Sequence, residues 1–303
     1  MGSTSDGPNQ ISPFLKWAGG KRWLAMYYAY LFPQTYDRYL EPFLGGGAVF
    51  FFLHPSTAIL SDSNAQLIEC YQQLRDNPTE FGKHMRRHQR QHLNDDAYYY
   101  AIRAKSMRKP LTRAAQFLYL NRTCWNGLYR VNLNGIFNVP KGTKTRVVFD
   151  EESFDEYAEV LQGAKIKCSD YEKTIAMAKK GDFLFVDPPY TVKHNFNGFA
   201  KYNETIFSWA DQIRLRASLA AASERGVKIL LCNAHHESVL ELFSDLGTTH
   251  VLNRRSIIAG EPTYRSAVTE IAISINYDVG PHLTREYDDG TERCVPTTPF
   301  ANG

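Results

Sequence analysis

Asp187-Pro188-Pro189-Tyr190 is the segment whose residue types and order are best suited to chemistry. It follows Phe183-Leu184-Phe185-Val186, a continuous apolar run of the kind buried inside a parallel sheet. Open α/β sheets place their ligand crevice just past such a strand. Two consecutive prolines fix φ and remove two donors, which stiffens the turn. A stiff turn holds the Asp187 carboxylate and the Pro188 carbonyl as two acceptors in one place. Two acceptors suit an NH2 group, which has two hydrogens to donate. With those hydrogens held out of a purine's ring plane, the nitrogen lone pair becomes more available for reaction. Tyr190 offers a flat face on which an extruded base stacks. Taken alone, the tetrapeptide also fits a proline-rich turn whose tyrosine fills the core.

Glu41-Pro42-Phe43-Leu44-Gly45-Gly46-Gly47 lacks the full dinucleotide fingerprint. Its glycines still let backbone come close to a nucleoside cofactor or to its methionine part. Asp62 closes the next apolar strand, Ala58-Ile59-Leu60, at the position from which a carboxylate reaches ribose hydroxyls. A glycine turn alone is weak evidence; with a well-placed acid and the acidic Pro-Pro turn it is much stronger. Phe14-Leu15-Lys16-Trp17-Ala18-Gly19-Gly20-Lys21 presents two lysines, an indole and two glycines on a loop before the first helix. Lys21 is placed to pair with a cofactor carboxylate, and Trp17 to line a sulfonium or adenine pocket. An exposed basic loop reads equally well there.

The elements that must position these residues alternate. Tyr39-Leu40 is a strand entering the glycine turn; Leu67, Ile68, Tyr71 and Leu74 fall on one helical face, and Pro78 follows that helix. From about 79 to 150 the chain is basic, aromatic and helical, then turn-rich, without strand–helix alternation. Regularity returns with Ile166 to Cys168 and the run before Asp187. A helix with Ser208 and Asp211 as a capping box and Gly226 as terminator follows. Then come a strand over Val227 to Cys232, a helix using Val239, Leu240, Leu242 and Phe243 that ends at Gly247, and an alternating strand over Val268 to Ile275. Strand–helix repetition on both sides of a different middle predicts an α/β sheet domain interrupted by an inserted domain. Residues 1–11 and 281–303 read as flexible ends. Thr191 to Asn203 is too polar for core and reads either as a loop closing over an extruded base or as disordered chain.

With 303 residues, 43% hydrophobic and 13% aromatic, the chain is long enough for a sizeable core. No apolar run reaches bilayer length, and Met1 to Gln10 has no signal-peptide pattern. The five cysteines (Cys70, Cys124, Cys168, Cys232, Cys294) are scattered and odd in number, which argues for reduced thiols in a cytosol and against a disulfide framework or zinc ribbon. Net charge is only +3, yet Lys83 to Arg113 holds nine Lys/Arg against two Asp. That block fits a phosphate-binding surface or, more blandly, a solvated helix face. His84, His88 and His92 recur every fourth residue. No acid or cysteine joins them and their neighbours are cationic, so a solvated helix face is expected rather than a metal site.

K-W-A-G-G-K, E-P-F-x-G-G-G and D-P-P-Y occur in that order. Between the last two lies Leu120-Asn121-Arg122-Thr123-Cys124-Trp125-Asn126-Gly127-Leu128-Tyr129-Arg130, continuing to Gly135-Ile136-Phe137-Asn138-Val139-Pro140. Over roughly 12–275 the chain resembles the Dam-type (D12 class, alpha-group) DNA adenine-N6 methyltransferases. The resemblance implies a Rossmann-like, S-adenosylmethionine-dependent methyltransferase domain over 12–63 and 153–280. A mainly helical target-recognition domain over 64–152 is inserted in it. It implies S-adenosylmethionine contacts at Trp17, Lys21, Phe43, Asp62 and Asp187, a cofactor loop at Gly45, Gly46 and Gly47, and a looser adenine contact at Asp170 and Tyr171. Asp187, Pro188, Pro189 and Tyr190 become the catalytic turn. Trp125 falls where the family has an aromatic wedge into the DNA stack, and Asn126, Leu128, Arg130 and Pro140 where it reads bases; Lys16 reaches a base near the target. Arg suits guanine O6 and N7, and Asn suits adenine.

After Pro140 the chain reads Lys141-Gly142-Thr143-Lys144, where relatives often carry an aromatic and an Arg, so a GATC-like site is expected with its outer base pair open. Arg254-Arg255-Ser256 and Thr263-Tyr264-Arg265 match the family's C-terminal pattern, near phosphate or substrate, and also fit a charged loop before an edge strand. The implied partner is double-stranded DNA, with a companion restriction endonuclease as a further partner. No metal and no membrane are expected, and the protein is expected to be a cytoplasmic monomer. The rival readings are an RNA adenine or protein glutamine methyltransferase and a catalytically silent DNA-binding relative. The acid at 187 and the duplex-reading insert disfavour the first, and the intact 187–190 turn disfavours the second.

Overall fold

The computed structural model of the chain describes residues 11–95, 97–127, 129–132, 135–149, 153–193, 207–255, 267–280, 283–288 and 291–296. Strands β1 (Tyr39–Glu41), β2 (Ala58–Asp62), β3 (Ala164–Cys168), β4 (Phe183–Val186), β5 (Lys228–Ala234), β6 (Thr248–Arg255) and β7 (Ala267–Ile275) form a mixed seven-stranded sheet in the order β3-β2-β1-β4-β5-β7-β6. The helices are α1 (Arg22–Tyr27), α2 (Ala48–Leu53), α3 (Ala65–Asp76), α4 (Pro78–Asn94), α5 (Tyr98–Ala104), α6 (Pro110–Thr123), α7 (Phe154–Leu161), α8 (Tyr171–Ala176), α9 (Trp209–Glu224) and α10 (Glu237–Phe243). The mixed α/β class expected from the sequence is the class observed. In the C-terminal stretch, β8 (Leu283–Asp288) and β9 (Thr291–Pro296) pair antiparallel as a separate two-stranded sheet. The chain divides into two compact units, Met1–Arg22 with Glu41–Thr174 and Trp23–Leu40 with Ile175–Gly303.

In the first unit β2 and β3 run parallel, from Ala58 opposite Ala164 to Asp62 opposite Cys168. Asn64 caps α3 by accepting the Gln66 and Leu67 N–H groups, and the predicted stripe Leu67, Ile68, Tyr71 and Leu74 is buried. On the other side of α3, Gln72 and Arg75 donate to the Ile166 and Ala164 carbonyls, which fixes the helix on β3. Pro78 sits in the first turn of α4, where its missing N–H costs nothing, so one proline both ends α3 and opens α4.

Helix α4 corrects one sequence expectation. Its buried stripe is Phe81, Met85, His88 and His92, while Lys83, Arg86, Arg87 and Arg90 face solvent. His88 and His92 are therefore core residues, and of the three histidines only His84 is partly exposed. The cause is a set of tyrosines. The His88 ring stacks on Tyr119 at 4.7 Å and its Nδ1 bonds the Tyr98 hydroxyl at 2.8 Å. His92 Nδ1 bonds the Tyr119 hydroxyl at 2.9 Å and its Nε2 bonds the Lys144 carbonyl at 3.1 Å. Burial pushes the His88 imidazole down to about 4, so it is neutral near pH 7. Among the described residues no group of three or more His, Cys, Asp or Glu is arranged to hold a metal ion.

In the second unit β1 and β4 run parallel, with Tyr39 opposite Phe183 and Leu40 opposite Leu184, and β4 and β5 continue parallel. Strand β7 then enters antiparallel between β5 and β6. The strand order reverses at β1 and β4, and reversals of this kind mark ligand sites at the carboxyl ends of open sheets. All four β4 residues are buried, as the unbroken apolar run requires. The Arg38 guanidinium holds the fully buried Asp182 carboxylate through two bonds of 2.9 and 2.5 Å, which fixes the start of β4 beside β1. The capping box is formed in both directions: Ser208 Oγ accepts from the Asp211 N–H and the Asp211 carboxylate accepts from the Ser208 N–H. No helix among the described residues is long and apolar enough to cross a membrane.

Candidate active site

The glycine loop is built around Trp17. Gly45 has φ +46°, and a Cβ there would lie 2.7 Å from Trp17 Cδ1. Only glycine meets both demands, the left-handed backbone and the close indole. Leu44 N–H bonds the Ser61 carbonyl, and the buried Tyr71 hydroxyl donates to the Gly45 carbonyl at 3.1 Å. Asp62 braces the loop as well: Oδ2 accepts the Gly45 N–H at 3.1 Å and Oδ1 accepts the Asn64 N–H at 2.9 Å. Burial raises the Asp62 carboxyl, and the backbone donors of Asn64, Gly45 and Ser63 oppose that rise. Trp17, Gly45, Gly46 and Asp62 are thus brought together by direct contact.

The other cofactor candidates of this unit sit as follows. The Phe43 ring stacks on Tyr171 at 5.2 Å and 25°, giving a flat apolar wall. Asp170 is exposed and accepts the Glu172 N–H at the start of α8. Lys21 is buried, and its ammonium donates to the Gly19 carbonyl at 2.8 Å. Together these residues offer an acceptor carboxylate, a cation and aromatic faces, a set suited to a zwitterionic nucleoside ligand.

Residues 124–141 fold back as an irregular hairpin joined by the bridges Cys124–Lys141 and Val131–Phe137. The Trp125 N–H bonds the Pro140 carbonyl at 2.9 Å, and Asn132 and Ile136 close the tip. The Trp125 side chain is 53% exposed, Asn126 is exposed with φ +56°, and Arg130 reaches Asn138 Oδ1 at 3.3 Å. Leu128 lies outside the described residues, as do Ser256, Thr263, Tyr264, Arg265 and 194–203 of the predicted loop. Thr191 and Val192, expected in that polar loop, are instead buried, because Thr191 Oγ1 donates to the Phe207 carbonyl.

Lys16 is tied to the hairpin. Asn121 on α6, fully buried, accepts the Lys16 N–H at 3.0 Å and donates to its carbonyl at 2.7 Å. Gly127, at φ +66°, leaves room for the Lys16 stem; a Cβ there would lie 2.6 Å from Lys16 Cδ. Burial first, then the Lys144 ammonium, lowers the Lys16 ammonium from its ordinary range. The buried Arg122 guanidinium donates to the Phe14 and Val147 carbonyls. Tyr129 completes the join: its ring stacks on Trp17 at 5.9 Å and 17°, and its hydroxyl bonds the Gln66 side-chain carbonyl. Of the basic block, Arg103 is committed to the Val139 carbonyl and Arg113 to Glu69, whereas Arg86, Arg87, Arg90, Lys105, Arg108 and Lys109 face solvent.

In the second unit, Asp187-Pro188-Pro189-Tyr190 leaves the carboxyl end of β4. Tyr190 is partly exposed, and its hydroxyl donates to Glu270 on β7 at 2.6 Å. Burial, and then the Asp187 and Glu270 carboxylates, push the phenol well above its ordinary range, so it remains a donor. Gln212 on α9 donates to the Thr191 carbonyl at 3.3 Å and accepts from Asn233 Nδ2 at 3.1 Å.

Asn121, Tyr129, Glu270, Gln212 and Asn233 were not singled out by motif reading. The available signal was a polar residue inside an apolar pattern: Glu270 in Val268 to Ile275, and Asn121 after Phe117-Leu118-Tyr119-Leu120.

The family model described as D12 class N6 adenine-specific DNA methyltransferase matches residues 17–257. The chain is 36% identical over 276 residues to the Type II methyltransferase M1.LlaDCHI of Lactococcus lactis subsp. cremoris, covering 88% of this chain and 96% of that relative. It is 35% identical over 262 residues to a DNA adenine methylase of Serratia marcescens, covering 85% and 96%. It is 32% identical over 289 residues to the Type II methyltransferase M.MjaIII of Methanocaldococcus jannaschii, covering 88% and 100%.

Proposed function

This chain belongs to the D12 class of N6 adenine-specific DNA methyltransferases. From that premise we propose that it binds S-adenosylmethionine through the residues gathered around Trp17 and methylates a flipped-out adenine held by Asp187 and Pro188. The family implies a methyl donor of the S-adenosylmethionine type and a DNA substrate. The donor set of the first unit suits that cofactor. Asp62 offers an acceptor to ribose hydroxyls and Lys21 a cation to the methionine carboxylate. The stacked Phe43 and Tyr171, with Asp170 beside them, suit the adenine, and Gly45, Gly46 and Gly47 admit close backbone approach. When bound, the cofactor supplies a methyl made electrophilic by a sulfonium, which is why no metal is assigned.

The observation that carries the catalytic reading is the turn itself. A proline-locked acid follows a fully buried strand, and the turn ends on a partly exposed tyrosine with an anchored hydroxyl. Asp187 and the Pro188 carbonyl accept the two amino hydrogens of adenine N6, Pro189 stiffens the turn, and Tyr190 stacks on the base. Gripped in this way, the nitrogen would keep its lone pair directed out of the ring plane; as its bond to the methyl carbon formed and the carbon–sulfur bond broke to leave a neutral thioether, Asp187 would take the proton released from the amino group.

We assign residues 12–63 with 153–280 to catalysis and 64–152 to target recognition. The exposed cations of α4 and of 105–109 meet phosphates, giving affinity that falls steeply with salt. Trp125 wedges into the stack, and Lys16, Asn126, Leu128, Arg130 and Pro140 read a short GATC-like site. The Type II names of relatives support a companion restriction endonuclease, and we take the enzyme to be a cytoplasmic monomer. The test is to offer tritiated S-adenosylmethionine with duplex DNA, RNA or protein, then to sequence the methylated positions. N6-methyladenine at one short motif in duplex DNA is expected; label in RNA or protein alone would overturn the reading.

A further inference from the structure

Behind the Asp187–Tyr190 turn stand three buried polar side chains that the chemistry above does not use: Glu270 on β7, Gln212 on α9 and Asn233 on β5. Glu270 is 3% exposed and lies on a strand that also carries Ile271, Ala272, Ile273 and Ile275, all buried. A carboxylate in such a place costs several kcal/mol unless its oxygens are bonded. An apolar side chain would fill the volume more cheaply, so simple packing does not account for an acid there. One of its oxygens accepts the Tyr190 hydroxyl at 2.6 Å, the short distance of a charge-assisted bond.

The geometry of that bond gives it a task. The Tyr190 backbone is held at one end by Pro189, and by Thr191, whose carbonyl is bonded to Gln212 and whose hydroxyl is bonded to the Phe207 carbonyl. Gln212 is itself held by Asn233. With Cα fixed and the hydroxyl oxygen fixed, the long axis of the ring has one direction. Tyr190 as a whole remains partly exposed. We propose that Glu270 is a positioning residue: it pins the Tyr190 hydroxyl and thereby sets the direction of the ring against which the target base rests. The proposal rests on the assignment of Tyr190 as the stacking residue.

The experiment uses the full chain and a duplex containing the motif mapped above, with methyl transfer by the unmodified protein as the control that separates this proposal from the assignment beneath it. Tyr190→Phe deletes one oxygen and keeps the ring; Glu270→Leu deletes the acceptor; Glu270→Gln keeps a neutral one. Single-turnover rates are expected to fall about tenfold for Y190F and E270L, less than the roughly hundredfold cost of a 1 Å misplacement because the ring itself is kept, with E270Q in between. The Y190F/E270L pair should be no slower than the slower single, because both remove one interaction. Duplex affinity and S-adenosylmethionine affinity should be unchanged, while the fluorescence of 2-aminopurine at the target position in the bound duplex should change in both variants. Wild-type rate in Y190F, or a double variant showing the product of both losses, would overturn the proposal. Should E270L fail to fold, Y190F decides, since its ring and backbone are those of the native chain.

Discussion

The turn at 187–191 and the hairpin at 124–141 are both held from beneath by buried polar groups, yet they differ in where the rigidity stops. At the turn it reaches the residues assigned to the chemistry. Two prolines fix the backbone, Gln212 holds the Thr191 carbonyl, and Glu270 holds the Tyr190 hydroxyl. At the hairpin it reaches the roots and Tyr129, which stacks on Trp17 and bonds Gln66. The Thr123 carbonyl accepts the Gly142 N–H, Tyr99 and Arg103 grip the Val139 carbonyl, and Asn121 clamps Lys16. Beyond those points lie two isolated bridges, an exposed indole and a positive-φ asparagine. Acceptors that must hold one amine are best fixed in advance. Side chains that must fit base edges in a deformable duplex need secure roots and free ends.

After substitution of Asp187 itself, the largest change should come from Gly45→Ala. It sets a Cβ 2.7 Å from the Trp17 ring at φ +46°. Strain and displacement of about 2–3 kcal/mol should weaken binding of a cofactor analogue such as sinefungin roughly a hundredfold by calorimetry. Duplex affinity should change far less; equal losses in both would show that the loop serves the whole unit and not the cofactor. Arg130→Ala should cost about 2 kcal/mol of discrimination at a single base position, visible as relaxed sequence choice among methylated sites. A uniform loss at all positions would recast Arg130 as a phosphate contact.

Helix α4 carries a pH signature of its own. His88 is neutral in the folded chain because burial depresses its pKa to about 4 from an ordinary 6.5. The unfolded chain takes up this proton first as pH falls, so the stabilising effect is complete above 6.5 and is lost progressively toward pH 4. Thermal stability should drop by roughly 1 kcal/mol between pH 6.5 and 5.5 from this residue, and His88→Gln should flatten that slope. An unchanged slope in the variant would assign the acid sensitivity elsewhere. The smallest effect is expected for Tyr129→Phe, which keeps the stack on Trp17 and loses the bond to Gln66. About 0.5–1 kcal/mol of stability should go, with a modest rise in KM for DNA; a collapse of cofactor binding would show that the hydroxyl does more than dock the hairpin.

What the sequence made legible follows the range over which its signals act. The unbroken apolar run of β4, the Ser208–Asp211 box and the α3 stripe are local patterns, and each formed as read. Two motifs and the acid closing the next strand pointed to Trp17, the glycines and Asp62, although the reason for Gly45, the indole against it, is visible only in the fold. His88 and His92 misled because a polar residue every fourth position looks the same whether it meets water or tyrosine hydroxyls. Glu270 was hidden for a related reason: its partner lies 80 residues away, and no periodicity links a buried acid on one strand to a turn after another.

The account is tested most directly by Asp187→Asn, with single-turnover methylation and equilibrium duplex binding measured on the same folded sample. Replacing one carboxylate oxygen by an amide nitrogen should lower the rate by about a thousandfold, the magnitude expected for removing a preorganised catalytic group, and leave the duplex dissociation constant within about threefold, because the residues proposed to contact DNA are other ones. N6-methyladenine formed at close to the native rate, or DNA binding lost along with activity in a protein that still melts cooperatively, would contradict it.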